Sequence, residues 1–260
     1  FAWWDYGYWI QTLGERATLV DNSTLIDWQI EKVARTFMSS PEDAWVILDS
    51  DYKTNVVEHF VNQPTINGKL ISPSEYKKSY CDDPSQNPAF INPQDLNPPE
   101  YYVEECDTLG HYLHQITGFD ADYVLINLAG IRYAPENSVP VYDLHGGGDE
   151  SKKQWFMAIA GINPYDHMEA DFFTPTPALI QNTFYGNLIP FSIISYYDPG
   201  TDRQFREYQP NTVALWAKDI KFDDPDGPFT LVYASPSFSE QNAGWFQSVL
   251  IYKVNHEYKQ

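Results

Sequence analysis

Ile26, Ile30, Val33, Ala34 and Phe37 recur at helical spacing behind Asp21-Asn22-Ser23-Thr24, whose side chains supply N-cap chemistry. That pattern predicts a helix over about 25–38. Pro41 suits the first turn of a second helix running through Trp45 and Leu48. A short helix is predicted around 104–117. The β-branched apolar run from Asp122 to Leu128 predicts a buried strand. Gly146-Gly147-Gly148 forms a glycine-rich turn ahead of 149–157, which predicts an amphipathic helix ending near Gly161. Beyond 165 the pattern changes, and strands are predicted over 188–197, 212–220, 229–234 and 248–254.

Helices and one strand come first and several strands follow, which favours an α+β fold over alternating βαβ units. The expected architecture is a helical central core with a short buried sheet around residues 3–7, followed by a β-rich peripheral part. Residues 1–165 form the expected core unit and 166–260 the peripheral part, with continuity between them left open. Seven prolines from Pro64 to Pro99 punctuate a polar stretch, so about 50–118 reads as an irregular insertion.

Composition narrows the function. The chain has 260 residues and a net charge of −20, from 16 Lys and Arg against 36 Asp and Glu. Such a surface repels phosphates, so nucleic acid is not an expected partner. Docking on anionic lipid is disfavoured for the same reason. The 19 Tyr, 15 Phe and 8 Trp are too many for a solvated chain. No run reaches the roughly 20 apolar residues of a membrane span. The chain opens on Phe1-Ala2-Trp3-Trp4 without Met, which suggests a fragment of something longer. Cys81 and Cys106 lie in a Pro/Asn/Asp-rich stretch where they could meet; free thiols and a disulfide both stay open.

Several strings resemble chemistry without completing it. His145-Gly146-Gly147-Gly148 looks like a lipase oxyanion loop, but the chain lacks a Gly-x-Ser-x-Gly elbow. His111 and His114 sit three apart on the expected helix with no third ligand nearby. Asp223-Asp224-Pro225-Asp226-Gly227 lacks the spacing and terminal Glu of an EF-hand, and reads as an acidic turn. Asn22-Ser23-Thr24 is an Asn-x-Thr sequon, and also a helix cap.

Trp3-Trp4-Asp5-Tyr6-Gly7 is the most unusual string. Trp and Tyr offer apolar bodies with single polar tips, and an ionised Asp only accepts hydrogen bonds. Such residues can wall a pocket for one hydroxyl. They can equally be an aromatic core cluster opening a domain.

This string resembles the WWDYG signature of the oligosaccharyltransferase catalytic subunit, the enzyme of N-glycosylation. The likeness continues through Tyr8 and through Ala17-Thr18-Leu19-Val20-Asp21-Asn22-Ser23-Thr24. It returns at Tyr123-Val124-Leu125, at Asp171-Phe172-Phe173-Thr174-Pro175-Thr176 and at Leu250-Ile251-Tyr252-Lys253-Val254. It lapses over about 50–118 and thins after 200. The family's second motif, Asp-x-x-Lys-x-x-x-Met/Ile, fits in two registers. Glu150, Lys153 and Met157 keep the Lys and Met; Asp149, Lys152 and Phe156 keep the Asp and Lys. The first is favoured by its surrounding string. Without the resemblance, the same segment reads as a solvated Lys/Glu face with Trp155, Phe156 and Ile159 in the core.

The resemblance implies a domain that recognises Asn-x-Ser/Thr in an acceptor polypeptide, within a membrane enzyme that transfers a lipid-linked oligosaccharide to Asn. Trp3, Trp4 and Asp5 would form the pocket for the +2 hydroxyl, with Lys153 beside it and Met157 near the Thr methyl. Tyr6, Gly7, Glu150, Asp149 and Lys152 are further candidates. Replacing the hydroxyl by Ala would strand buried polar groups at about 1–3 kcal/mol each. Covering a methyl is worth about 0.8 kcal/mol, a several-fold preference for Thr over Ser. The family's divalent ion, Mn2+ or Mg2+, sits in the membrane part, so this fragment is expected to bind no metal or cofactor and to be inactive alone. Its own transmembrane domain is an expected partner, and the extracytoplasmic face its expected location. The acidity and the insertion point to an archaeal-type enzyme. The alternative is an extracellular carbohydrate-binding or adhesin-like module with no enzymatic parent.

Overall fold

Ser40 and Pro41 open one predicted helix as the sequence suggests. The Ser40 hydroxyl accepts from the Asp43 N–H at 3.1 Å, and Pro41 occupies the first turn, where a missing N–H costs nothing. The computed structural model describes residues 1–21, 27–51, 55–59, 65–66, 69–70, 104–105, 113–133 and 140–259. Helix α1 spans Gly7–Gly14, behind a 3-10 turn at Trp4–Tyr6; α2 spans Asp27–Met38 and α3 Pro41–Asp49. The expected start of α2, with Asn22-Ser23-Thr24, lies outside the described residues. So do Cys81, Cys106 and His111.

Short strands β1 (Asn55–His59), β2 (Thr65–Ile66), β3 (Lys69–Leu70), β4 (Glu104–Glu105) and β5 (Leu113–Thr117) come next. They pair as β1-β5-β4 and β2-β3. The helix expected over 104–117 is therefore corrected: both of its described parts are extended. Val56 pairs with Ile116 and Asn55 with Thr117, and β-branched residues favour that backbone. His114 belongs to strand β5, and the His111 half of the expected pair lies outside the described residues.

The main sheet is antiparallel and seven-stranded, in the order β11-β12-β6-β7-β10-β8-β9. Its members are β6 (Tyr123–Tyr133), β7 (Val141–Gly148), β8 (Phe191–Asp198), β9 (Arg203–Phe205), β10 (Val213–Lys218), β11 (Phe229–Ala234) and β12 (Gly244–Val254). β6 and β7 lie at its centre, and strands from beyond 165 flank them on both sides. The fold is α+β, with helices α4 (Lys153–Ile159), α5 (Pro177–Asn182) and α6 (Phe184–Leu188) between β7 and β8.

Two boundaries differ from the sequence pattern. β6 outlasts its apolar run because Gly130 lets β7 approach closely: a Cβ there would overlap the Asp143 carbonyl oxygen, at a register shift in the ladder. The strand expected from 188 begins instead at Phe191. Thr183 caps α6, its hydroxyl accepting from the Gly186 N–H at 3.0 Å, and Leu188 closes that helix ahead of Pro190.

Alternation sets the core. Val124, Ile126 and Leu128 of β6 and Phe246, Leu250, Tyr252 and Val254 of β12 all point inward and are buried. Helix α2 packs on α4 through Phe37 and Phe156, whose rings stack at 5.1 Å. Phe37 also meets Phe1 at 4.9 Å and Phe184 at 6.4 Å. This aromatic centre is the platform beneath residues 3–7.

Candidate functional site

Residues 3–7 are held from three sides. The Phe1 carbonyl accepts from the Leu125 N–H at 2.9 Å, which lays the first residues against β6. Trp3 is buried and meets Phe156 edge-on at 4.6 Å. Gly7 lies against residues 20–21, where a Cβ would overlap Asp21 and come 2.6 Å from the Val20 carbonyl oxygen. Only glycine permits that approach. Trp4, Asp5 and Tyr6 then form the 3-10 turn between these anchors, each partly exposed.

The second cluster is delivered by the end of β7. Gly147 and Gly148 adopt φ of +135° and +69°, and a Cβ on Gly148 would lie 2.9 Å from Leu128 Cα. The glycine string is thus a strand end that turns the backbone hard against β6. Asp149 follows at once. Its N–H donates to the Asn127 carbonyl at 2.6 Å, and its Oδ2 accepts from the Asn127 N–H at 2.7 Å. A 3-10 turn at Glu150–Lys152 leads into α4.

The two clusters meet at Lys152. Its Nζ donates to Asp5 Oδ2 at 2.5 Å and to the Tyr6 hydroxyl at 2.9 Å, and stands 3.5 Å from Asp149 Oδ1. It also lies 4.3 Å from the centre of the Tyr6 ring. The Tyr6 hydroxyl donates to Asp149 Oδ1 at 2.9 Å. Asp5, Tyr6, Asp149 and Lys152 therefore form one network. Lys153 faces elsewhere: it is buried, and its Nζ donates to Glu150 Oε1 at 2.5 Å and to the Glu150 carbonyl at 3.0 Å. Met157 is fully buried in the core, as is Phe156. So the structure brings Asp149 and Lys152 to Asp5, and places Glu150, Lys153 and Met157 beneath.

Burial pushes the Asp149 carboxyl up to about 6, against the opposing pull of the Lys152 ammonium, the Asn127 N–H and the Tyr6 hydroxyl. Burial, and then the Asp149 carboxylate, raise the Tyr6 hydroxyl well above its usual value. Tyr185, packed edge-on to Phe156 at 5.5 Å, is raised by burial and by Glu150 and Asp149.

A lysine ammonium only donates, and an ionised carboxylate only accepts. Side by side and partly exposed, Lys152 and Asp5 match a ligand hydroxyl, which needs one of each. Asp5 and Asp149 are each engaged by Lys152 or Tyr6, and among the described residues no three His, Cys, Asp or Glu side chains converge as ligands.

Sequence reasoning missed Asn127, which fixes Asp149 through its backbone, and Tyr185. Main-chain contacts carry no side-chain signature. The string 223–227 is a turn, with the Asp226 N–H donating to Asp224 Oδ1 at 3.0 Å.

No protein-family model matches the chain. Short stretches are similar to dolichyl-diphosphooligosaccharide–protein glycosyltransferase subunits. The Dictyostelium discoideum subunit STT3 is 43% identical over 54 residues, 20% of this chain and 8% of that protein. The Schizosaccharomyces pombe subunit is 44% identical over 54 residues, 20% of this chain and 7% of that protein. The Arabidopsis thaliana subunit STT3B is 43% identical over 49 residues, 19% of this chain and 7% of that protein. The matched stretches thus cover a small part of these relatives' length. The similarity to these glycosyltransferase subunits is confined to those stretches.

Proposed function

We propose that this chain is the acceptor-recognition domain of a membrane oligosaccharyltransferase, reading the +2 hydroxyl of Asn-x-Ser/Thr. The observation that carries the reading is the 2.5 Å pair between Asp5 and Lys152, which joins two motif regions 147 residues apart into one hydroxyl-matched site. Trp4, Asp5 and Lys152 contact the acceptor. Trp3, Glu150, Lys153 and Met157 are the buried support beneath them. The hydroxyl donates to Asp5 and accepts from the Lys152 ammonium. An Ala at +2 forgoes both of these hydrogen bonds while still covering the charged pair, which a site of this kind disfavours.

Glycan transfer belongs to the full-length protein, in which a transmembrane part brings the lipid-linked oligosaccharide and the divalent ion, with this domain on the extracytoplasmic face. This chain alone binds acceptor and transfers nothing. The relatives above are eukaryotic, and it is the acidity and the 50–118 insertion that favour an archaeal-type enzyme. The test is Asp5→Ala in the full-length protein. Transfer to Asn-x-Thr peptides should be lost with the melting temperature unchanged; retained transfer overturns the reading. Transfer by residues 1–260 without membrane subunit overturns the division of labour.

A carbohydrate-binding surface module is a second reading. It draws on the exposed rings of Trp155, Tyr165, Phe172 and Phe173. Glycan binding by a full-length protein that ignores acceptor peptides would favour it.

A further inference from the structure

Lys152 brings its ammonium to Asp5 on a four-carbon stem with three rotatable donors. Such a side chain at a surface normally samples many rotamers, and an exposed ion pair alone holds it weakly. Here the ammonium is fixed by more than Asp5. The Tyr6 hydroxyl accepts from it at 2.9 Å while donating its own proton to Asp149 Oδ1 at 2.9 Å. Asp149 is itself held in place: its side chain is buried, and its Oδ2 accepts from the Asn127 N–H at 2.7 Å in the central strand. The ring of Tyr6 closes the arrangement, 4.3 Å from the ammonium.

Direction matters in this chain of bonds. A phenol that has lost its proton could not donate to Asp149, and the two anions would repel. Burial and the adjacent carboxylates hold the Tyr6 proton in place. The hydroxyl therefore has its proton committed to Asp149 and accepts from Lys152, with the Asn127 side chain also hydrogen-bonded to it. The order runs Asn127 backbone, Asp149, Tyr6, Lys152, Asp5. It leads from the rigid sheet to the partly exposed surface.

We infer that Tyr6 is a positioning residue for acceptor recognition: its hydroxyl, buttressed by Asp149, sets the Lys152 ammonium beside Asp5 in the orientation that receives the acceptor hydroxyl. Tyr6 itself contacts no substrate. The inference rests on the functional reading above and adds a residue that acts only through Lys152. It is the phenolic oxygen, not the ring, that matters, so Tyr6→Phe isolates it.

The experiment is steady-state transfer to Asn-x-Thr peptides by the full-length protein, with Tyr6→Phe, Lys152→Met and the double variant. Losing one hydrogen bond to a charged group corresponds to about a tenfold change. Tyr6→Phe should raise the acceptor KM about tenfold with kcat nearly unchanged, and should add nothing once Lys152 is Met. A merely structural role would lower the melting temperature and kcat together, and its effect would add to that of Lys152→Met. Asp149→Asn provides a second route, and should raise KM in the same non-additive way. An unchanged KM in Tyr6→Phe, or additive effects, overturns the inference. If Lys152→Met and Asp5→Ala also transfer like wild type, the functional reading itself fails. If those two lose transfer or raise KM and Tyr6→Phe does neither, only the positioning role fails.

Discussion

Gly7 packs directly on the backbone of Asp21, so closely that a Cβ on Gly7 would overlap the Asp21 Cα. This contact fixes the exit of the 3-10 turn that carries Trp4, Asp5 and Tyr6. Glycine at position 7 is thus a steric requirement of this turn.

Gly7→Ala follows as the first prediction. The extra methyl has backbone on its path, so either the turn or residues 20–21 must move. Overpacking of this kind costs about 1–3 kcal/mol. Denaturant unfolding should show that loss, and acceptor affinity should fall with it because Asp5 is displaced. Unchanged stability would mean that residues 20–21 yield freely.

Helix α4 supplies a contrast between two adjacent aromatics. Phe156 is fully buried among Trp3, Phe37 and Tyr185, whereas Trp155 is 66% exposed. Phe156→Ala should cost about 3–5 kcal/mol through the cavity it leaves. Trp155→Ala should stay within about 0.5 kcal/mol of wild type. Thermal or chemical denaturation of both variants separates them.

Much of this was legible in the sequence. The spacing of Ile30, Val33, Ala34 and Phe37 marked α2, and Ser40-Pro41 marked the start of α3. The run 229–234 is strand β11 as read. What failed depended on contacts distant in sequence. Residues 104–105 and 113–117 are extended because β1 pairs with β5, and no local period encodes that partner. The two motif registers, Asp149/Lys152 and Glu150/Lys153, share the same i,i+3 spacing. The 3-10 turn at 150–152 decides which pair faces Asp5. It winds more tightly than an α-helix and so rotates the residues after it to a different side. Periodicity assumed over the whole of 149–161 cannot register that change.

Asp149 makes stability depend on pH. Its carboxyl moves from 3.8 to about 6 on folding, so between those values the folded state holds the extra proton. Stability from this group is therefore present below about pH 4 and is lost as pH rises through about 6. Two pH units correspond to about 3 kcal/mol. Between pH 4 and 7, wild type should lose on the order of 3 kcal/mol more than Asp149→Asn, read by urea unfolding across that range. Parallel profiles would show that Asp149 does not titrate on folding.

On the proposed reading, Asp5, held against Lys152, recognises the acceptor hydroxyl. Binding of Asn-x-Thr and Asn-x-Ala peptides to the full-length protein and to its Asp5→Ala variant tests it most directly. The wild-type protein should prefer the Thr peptide by about tenfold or more. The Asp5→Ala variant should bind both peptides equally and at the weaker level. A variant that keeps the full Thr preference would contradict the account.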